Sequence, residues 1–441
     1  MTSEIAILNR YGVALAADSA VTIPTRSGPK IYDSVNKLFV LVKQRPVGIM
    51  IYDSADLLSV PWETIIKTYR MRHRGAQFDS LSEYAEDFLR FITETDELIP
   101  TQLRNSYFAE SLSRRAGCMV DAVRRQVEAV FKAGRRSVGV RALREFIDDA
   151  ISDEEDVWSK QPDGPWSDSL DLPSIERNRG AEIDTLVLQA FQQLPLIARQ
   201  RRRIRLLLVA SLAKVPYIHR RLRVPVDPRS GVVIAGFGEK EFFPRLLSYE
   251  INGIVNDRLL IVPRRPIEVA PDNPAIIVPF AQQEMVHSFI RGIHGAIERS
   301  SDVYWGEVEQ RLPEAVLGVI QSQLPGLDDH TAHLLRGSLR SLVLSTSAQY
   351  KELLRLMKNR QVQPILNSVA FLPKDELAAM AESLVNLTTL KRRVSINEPQ
   401  TVGGPIDVAV ISRGDGFVWI RRKHYFTQEL NPSWAVAHAE G

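Results

Sequence analysis

Residues 2–19 read Thr-Ser-Glu-Ile-Ala-Ile-Leu-Asn-Arg-Tyr-Gly-Val-Ala-Leu-Ala-Ala-Asp-Ser, and this stretch decides the fold. Two short apolar runs, residues 4–8 and 12–17, flank the polar tripeptide Asn9-Arg10-Tyr11. Apolar runs of this length around a polar turn are typical of a β-hairpin. Asp18 and Ser19 end the second run. We therefore expect the chain to enter a sheet at its start, without a disordered leader.

A second antiparallel pair is predicted further along the chain. A loop that contains proline and glycine is expected from Pro24 to Pro29, and apolar runs follow at residues 37–42 and 47–52. The tripeptide Gln44-Arg45-Pro46 supplies the turn between these two runs. After them the apolar spacing becomes helical, and Pro61 stands at a favoured first helical position.

The remaining sequence alternates between helical and strand character. Helical spacing is found at residues 82–93, 111–133, 140–151, 181–191, 283–298, 302–323, 329–358 and 374–393. Strand patterns are found at residues 231–235, 245–251, 258–262, 406–411 and 417–420. Asn252-Gly253 is a tight-turn signal, and the segment from Trp158 to Pro173 is expected to be a loop. Strands from distant parts of the chain must then share sheets, with helices on their outer faces.

Composition indicates an ordinary globular protein. The chain has 441 residues, 44% hydrophobic and 25% charged, with a net charge of +3 that identifies no partner. The single cysteine, Cys118, cannot form an internal disulfide; we interpret it as a packing residue and expect a reducing, cytoplasmic location. No apolar run approaches the roughly 18 residues of a membrane helix, so neither a membrane span nor secretion is expected.

Thr2 is a candidate nucleophile. Removal of Met1 would give it both a hydroxyl and an α-amine, whose reference pKa of about 7.7–8.0 suits a general base near neutrality. Such a site needs a cation to keep the amine neutral, a carboxylate to orient that cation, and a backbone N–H for the oxyanion. Asp18 and Lys37 adjoin strands next to the first strand. The alternative is an ordinary second residue, a strand-ending aspartate and an edge lysine.

Three blocks of the sequence resemble the proteasome β-subunit and related bacterial proteasome-like peptidases. The first block contains Gly12-Val-Ala-Leu-Ala-Ala-Asp-Ser19, Val21-Thr22 and Asn36-Lys-Leu-Phe39, in the order of that family. The second, residues 232–261, resembles the central hairpin. The third contains Gly403-Gly404-Pro-Ile-Asp-Val-Ala-Val-Ile411 followed by Arg413-Gly-Asp-Gly-Phe417, and resembles the last strand pair.

The resemblance implies an α+β fold, a four-layer αββα sandwich of the N-terminal-nucleophile (Ntn) hydrolase class with mainly helical insertions. Its discontinuous core would comprise residues 2–75, 230–298 and 368–425. Residues 76–229 and 299–367 would be helical insertions, and residues 426–441 a C-terminal tail. The insertions could cover an active-site cleft, bind a partner or replace ring contacts.

The resemblance also implies the roles of individual residues. Thr2 would be the nucleophile, Asp18 and Lys37 its acidic and basic partners, and the N–H of Asp53 the oxyanion donor. Glu398 would take the place of an aspartate near the chain end. The residues expected to contact a peptide substrate are Ala20, Thr22 and Tyr52.

This sequence departs from the family pattern around those residues. Asp53 stands where the family has a glycine, which restricts φ and brings a carboxylate near the oxyanion. Gln282 or Gln283 replaces a supporting serine, and Thr401 is the substitute for another. These changes leave two interpretations. One is a threonine peptidase or amidohydrolase, including a small-molecule amidase; the other is a catalytically degenerate scaffold or binding subunit.

The remaining motifs concern partners and cofactors. The resemblance implies a homo-oligomer that acts on peptides or unfolded proteins, and no P-loop or dinucleotide motif is found, so a separate ATPase would have to supply ATP-dependent steps. No cofactor is expected. The basic stretch Arg199–Arg223 is interpreted as a solvated helix surface paired with acidic clusters at 148–149 and 153–156, rather than a nucleic-acid face. The pairs His287/His294 and His330/His333 lack a third ligand, so no metal is expected.

Overall fold

The structure is a computed structural model that describes residues 2–25, 28–219, 225–395, 403–424 and 426–432. The chain divides into two compact units. The first comprises Met1–Ser34, Val269–Val410 and Val418–Tyr425. The second comprises Val35–Glu268, Ile411–Phe417 and Phe426–Gly441. Each unit is built on an antiparallel sheet.

The strands and helices alternate in blocks along the chain. The strands are β1 (Ser3–Asn9), β2 (Gly12–Ala17), β3 (Val21–Thr25), β4 (Gly28–Tyr32), β5 (Leu38–Val40), β6 (Val47–Asp53), β7 (Asp56–Leu57), β8 (Val60–Pro61), β9 (Ser230–Gly236), β10 (Arg245–Val255), β11 (Arg258–Pro263), β12 (Ile267–Glu268), β13 (Ala275–Ala281), β14 (Asp407–Ser412) and β15 (Gly416–Arg421). The helices are α1 (Trp62–Arg72), α2 (Leu81–Glu94), α3 (Thr101–Lys132), α4 (Val140–Ser159), α5 (Leu172–Ala190), α6 (Ala198–Ser211), α7 (Glu284–Arg291), α8 (Gly295–Gln323), α9 (Asp329–Val369) and α10 (Lys374–Val394).

The sheet that contains the chain start has the strand order β13-β1-β2-β14-β15. Strands β1 and β2 form the predicted hairpin, with Glu4 opposite Ala17 and Asn9 opposite Gly12. Every residue of both strands is buried, as expected for central strands. Helix α10 packs against this hairpin over a core that includes Ile5 and Leu377.

Asn9 fixes the far end of the first hairpin. Its side-chain amide donates hydrogen bonds to the carbonyl oxygens of Val369 and Leu372, both at 2.9 Å. Its side-chain oxygen accepts a hydrogen bond from the Tyr11 N–H at 2.9 Å. The turn is therefore tied to the segment that joins α9 to α10.

The sheet of the second unit has the strand order β11-β10-β9-β6-β5. Helices α1 and α2 contribute Trp62, Tyr69 and Phe88 to a core with the apolar side chains of this sheet. Helices α3 to α6 form a second core in the same unit, around residues such as Phe108, Ile147 and Ile204. Each unit is thus a sheet with helices packed on it, which matches the predicted mixed architecture; the four-layer arrangement stays a prediction.

Two turns differ from the sequence prediction. The expected loop at Pro24–Pro29 belongs to a two-stranded ribbon, β3 with β4, in which Pro24 lies opposite Pro29. Proline is tolerated there because an isolated ribbon has only edge strands. The predicted turn at Asn252-Gly253 is wrong, since β10 continues through it to Val255 with a register shift between Ile251 and Gly253.

Packing explains the glycine in that strand. A Cβ atom on Gly253 would lie 2.3 Å from the ring of Tyr107 in α3, so the glycine is required for close approach and not for a turn. The chain reverses instead at Asn256 and Asp257, whose φ angles are 46° and 59°. Asparagine and aspartate adopt this left-handed conformation more readily than most residues.

The helix predictions are correct in place and differ in extent. The helix expected at 283–298 is broken at Gly292, which has a φ of 71° and ends α7. Strand β13 was missed because Pro279 lies within it. This strand is at the edge of its sheet, where a missing N–H costs no ladder hydrogen bond. Among the residues described, every helix is too short or too polar to traverse a bilayer.

A buried ion pair holds the helical part of the second unit to the segment before β9. Arg115 and Asp227 are both fully buried, and the Arg115 Nε donates to the Asp227 carboxylate at 3.2 Å. Ser111 donates to the same carboxylate at 2.9 Å, and Arg115 Nη1 donates to Ser211 at 2.7 Å. The charges of both residues are thus compensated within α3, α6 and this segment.

We predict that Asp227→Asn lowers the free energy of unfolding by about 3–5 kcal/mol, because it removes the charged carboxylate that is hydrogen-bonded to the buried Arg115 guanidinium. Urea denaturation followed by circular dichroism measures the loss. The control is Asp156→Asn, which removes an exposed i,i+4 pair with Lys160 and should cost less than about 1 kcal/mol. Equal losses in the two variants would contradict the prediction.

Cys118 is half-buried in α3, and burial raises the pKa of its thiol to about 11. The thiol stays protonated until the pH rises through that value, so little thiolate exists near pH 8. We predict that iodoacetamide alkylates the folded protein at pH 8 roughly a hundredfold more slowly than the urea-unfolded protein. Mass spectrometry of timed samples gives both rates. A native rate equal to the unfolded rate would rule out the buried, packing role.

Candidate functional site

Thr2 lies immediately before β1 and is only 2% exposed. Its main-chain carbonyl accepts a hydrogen bond from the Gln282 N–H at 3.2 Å, just beyond the end of β13. Its hydroxyl donates to the Glu4 carboxylate at 3.0 Å, and Glu4 is itself buried. Thr2 and Glu4 face the same side of the sheet because alternate residues of an extended chain do so.

Asp18 connects the chain start to the segment that begins at Gly403. Its side chain is completely buried. One carboxylate oxygen accepts the Ser3 N–H at 3.1 Å, and the other accepts the Gly403 N–H at 3.0 Å. The Asp18 N–H in turn donates to the Ser3 carbonyl at 3.1 Å. The aspartate is therefore held rigidly beside the residue that follows Thr2.

The glycine pair Gly403-Gly404 has a steric cause. Ser19 donates through its N–H to the Gly403 carbonyl at 3.1 Å and through its hydroxyl to the Pro405 carbonyl. Gly404 has a φ of 77°, and a Cβ atom there would lie 2.8 Å from the Asp33 Cβ. A larger residue at this position would have to push the segment away from Ser19 and Asp18.

The other residues predicted in the first unit lie as follows. Ala20 is buried directly after Ser19, and Thr22 lies in β3. Of the two glutamines proposed to replace a serine, Gln282 is the one beside Thr2, and its side-chain oxygen accepts a hydrogen bond from Arg392. Gln283 instead immediately precedes α7. Glu398 and Thr401 lie outside the described residues, as does Met1.

Lys37 and Asp53 lie in the second unit, at the same end of two paired strands. Lys37 is buried directly before β5, and its carbonyl accepts the Ile51 N–H at 2.8 Å. Asp53 ends β6 with a φ of 66°, a left-handed conformation that is uncommon for residues other than glycine. The main chain here thus adopts the geometry that a glycine would favour, although the residue is an aspartate.

Tyr52 packs within the second unit. A Cβ atom on Gly231 would lie 2.0 Å from the Tyr52 ring, so the glycine lets the ring lie against β9. Burial raises the pKa of the Tyr52 hydroxyl, and the neighbouring Glu250 and Asp53 raise it further. This hydroxyl stays protonated at neutral pH. A substrate contact by Tyr52 stays a prediction.

A cavity of about 170 Å³ lies beside these residues within the second unit. Its polar wall includes Ser54, Asp56, Arg229 and Ser230. The α3 side chains Tyr107 and Arg114 also line the cavity, as do other residues of the unit. Residues of α3 and residues near the ends of β6 and β9 therefore line the same cavity.

The basic stretch and the histidines have structural partners. Arg203 contacts Glu155 at 2.6 Å and Asp148 at 3.8 Å, and Arg205 contacts Asp184 at 2.9 Å. These pairs agree with the interpretation of a helix surface matched to acidic residues. His294 accepts the Ala296 N–H and so caps α8. Within the described ranges, no cluster of three or more His, Cys, Asp or Glu residues is arranged to hold a metal ion.

Glu4 is the residue that sequence reasoning missed. Glu4 begins the first apolar run of the sequence, and its position two residues after Thr2 places both side chains on one face of the strand. The missing information was burial, because Glu4 on an exposed face would have been an ordinary solvated residue. The structure puts it 1% exposed, in contact with the candidate nucleophile.

Comparisons with known proteins give little further information. No model of a known protein family matches the chain, and no curated protein matches it. Among solved structures, the chain is similar to the Gly-1 mutant of Anbu from Hyphomicrobium sp. strain MC1, with 10% sequence identity and a TM-score of 0.28. That match covers 100% of this chain and 96% of the other. Similarity at this level carries no argument about fold or activity.

We predict that Asp18→Asn lowers the free energy of unfolding by about 2–3 kcal/mol, because it weakens two charge-assisted hydrogen bonds from backbone N–H groups in a fully buried position. Chemical denaturation measures the change. The control is Asp272→Asn, an exposed position where we expect a change below about 0.5 kcal/mol. An Asp18→Asn variant as stable as the parent would contradict the anchoring role.

Proposed function

We propose that this protein is a threonine-type N-terminal-nucleophile hydrolase that cleaves amide bonds, peptide bonds foremost. The observation that carries the proposal is the environment of Thr2. Its hydroxyl contacts the buried carboxylate of Glu4 at 3.0 Å, next to the fully buried Asp18. The Glu4 carboxylate lies at the start of a central strand, and burial of such a group is costly unless donors such as the Thr2 hydroxyl compensate it.

The proposed reaction follows from the groups on Thr2. At rest the Thr2 hydroxyl proton is donated to Glu4. With Met1 removed, the hydroxyl turns this proton to the α-amine, which accepts it while the Thr2 oxygen bonds to the carbonyl carbon of the substrate. The amine then gives that proton to the leaving nitrogen as the C–N bond breaks, which leaves an ester on Thr2. Water hydrolyses the ester in the second half of the reaction. Proton, nucleophile and leaving group are all accounted for without a cofactor.

The remaining roles come from the sequence resemblance. Lys37 would keep the amine neutral, Asp18 would orient that lysine, and the N–H of Asp53 would donate to the oxyanion. Glu398 is retained as a supporting acid from the resemblance alone. Ala20, Thr22 and Tyr52 are proposed to contact the substrate.

Glu4 adds an orienting role. A hydroxyl that donates to a fixed carboxylate is held in one rotamer, and its oxygen lone pairs are then directed away from that acceptor. The Thr2 oxygen would thus be presented to a substrate in a defined direction. This role needs the Glu4 charge and not only its size.

A non-catalytic proteasome-like subunit is the second candidate, and one observation favours it. Helices α8 and α9 expose large apolar side chains that a protein without a binding partner has little reason to present. Val303 and Tyr304 are each 65% exposed, and Leu342 is 63% exposed. A scaffold role predicts that protein from its native host retains Met1, because a blocked amine removes the proposed base.

Self-association and a separate ATPase partner remain proposals. Light scattering tests self-association, and co-purification tests the ATPase partner.

We predict that Thr2→Ala abolishes hydrolysis and covalent labelling by a β-lactone or epoxyketone probe, a loss of at least about a thousandfold, while the fold is unchanged. Thr2→Ser should keep measurable labelling because it keeps the hydroxyl.

Glu4→Gln should slow labelling about tenfold, since the neutral amide accepts a weaker hydrogen bond. Intact mass spectrometry reports both the loss of Met1 and the adduct.

The matched control is Thr388→Ala, which removes another buried threonine hydroxyl, bonded to the Leu384 carbonyl in α10. Labelling of this variant should equal that of the parent. Activity that survives Thr2→Ala would eliminate the proposed nucleophile. Retained Met1 together with no labelling would make the scaffold the better account.

A further inference from the structure

The end of β6 combines two features that conflict with the proposed oxyanion role. Asp53 has a φ of 66°, so its main chain is in a region where an L-residue is strained. Its carboxylate also lies on the same residue whose N–H is proposed to bind a developing negative charge. A carboxylate on the residue that binds an oxyanion opposes the build-up of negative charge unless a cation offsets it.

Arg229 supplies that cation. Its Nε donates to the Asp53 carboxylate at 3.3 Å, and its Nη1 donates to the Glu250 carboxylate at 2.9 Å. The side chains of Arg229 and Asp53 are each 28% exposed, and that of Glu250 is 12% exposed. The ion pairs are therefore partly shielded from water. Charge interactions are stronger in such a position than at an open surface.

The register of three central strands creates this contact. Asp53 of β6 lies opposite Ser230 of β9, and Ser230 lies opposite Ile251 of β10. Arg229 and Glu250 each immediately precede one of those partners in the chain. The guanidinium is thus placed at the sheet end by the main chain of β9 and reaches the carboxylates on both sides.

The charges in this group balance. Glu250 is also bound by Arg264, at 2.5 Å, and the Arg264 side chain is 55% exposed. Two carboxylates and two guanidiniums are then in contact. Burial raises the pKa of Asp53, and Arg229 opposes that rise by charge and by hydrogen bonding. Loss of Arg229 would remove the guanidinium that Asp53 and Glu250 share, whereas Arg264 would remain on Glu250.

We propose that Arg229 is a positioning residue for the proposed hydrolysis. It binds the Asp53 carboxylate and offsets its charge, so that an aspartate can occupy the left-handed position at the end of β6 and still present its N–H to an oxyanion. The proposal rests on the function proposed above. It also explains how a chain that lacks the expected glycine retains the backbone donor.

A double-mutant cycle tests the proposal. Arg229→Gln removes the charge and keeps a side chain of intermediate length. Asp53→Asn removes the carboxylate charge, and asparagine tolerates a positive φ as well as aspartate does. The third variant carries both changes. Arg264→Gln is the matched control, because it removes a guanidinium from Glu250 and leaves the pair of Arg229 with Asp53 in place. Two readouts are measured for each protein: the rate of β-lactone labelling at Thr2, and urea unfolding.

We expect Arg229→Gln to slow labelling at least about tenfold when Asp53 is present and less than about twofold when Asp53→Asn is present. Arg264→Gln should slow it less than about twofold, because the Asp53 charge remains offset. Equal slowing by Arg229→Gln in both backgrounds, or no slowing in either, would overturn the proposal.

The unfolding readout separates this proposal from the proposed function. If the parent protein shows no labelling at all, the hydrolase assignment fails, and the pairing of Arg229 with Asp53 is judged by stability alone. Arg229→Gln should then destabilise the Asp53 protein more than the Asp53→Asn protein. Equal destabilisation would mean that Arg229 does not hold the Asp53 carboxylate, and the positioning role would be rejected.

Discussion

The buried carboxylate of Asp18 is the interaction on which the arrangement around the chain start depends. It accepts the N–H of Ser3 with one oxygen and the N–H of Gly403 with the other. Residues separated by some 400 positions in the sequence are thereby bonded to one side chain. Since a buried charged acceptor is costly without donors, the two N–H groups and the carboxylate require each other. Thr2, Ser19 and the Gly403-Gly404 segment all take their positions from this one side chain.

Much of the fold around this point could be predicted because its signals are local. Two short apolar runs around a polar turn are sufficient to identify the β1–β2 hairpin, and Gly-Asp-Gly between apolar runs identifies β14–β15. The errors come from contacts that are distant in the sequence. Gly253 resembled a turn residue, yet its role is to make room for the Tyr107 ring, which belongs to α3. Pro279 concealed β13 because only the sheet order shows that this strand is at an edge.

The candidate site also contains residues that the sequence identifies and residues that only the structure reveals. Thr2 and Asp18 were identified in the sequence by residue type and order, and the structure places them beside each other through Ser3. Glu4 was not identified, because a sequence does not show which face of a strand is buried. Asp53 was expected to be restricted in φ, and it nevertheless adopts a left-handed conformation. Arg229, which contacts its carboxylate, is 176 residues away in the chain, so no spacing rule could have linked the two.

The hydrogen bonds of Asn9 have a consequence for how this chain can vary in length. Strand β1 is fixed at one end by the Asn9 amide, bonded to Val369 and Leu372, and at the other by Asp18, bonded to Ser3. The length of the strand between these two hydrogen-bonded ends is therefore fixed. Deletion of a single residue would turn every following side chain to the opposite face and withdraw one anchor from its partner. The number of residues from Thr2 to Asn9 is therefore set by these hydrogen bonds.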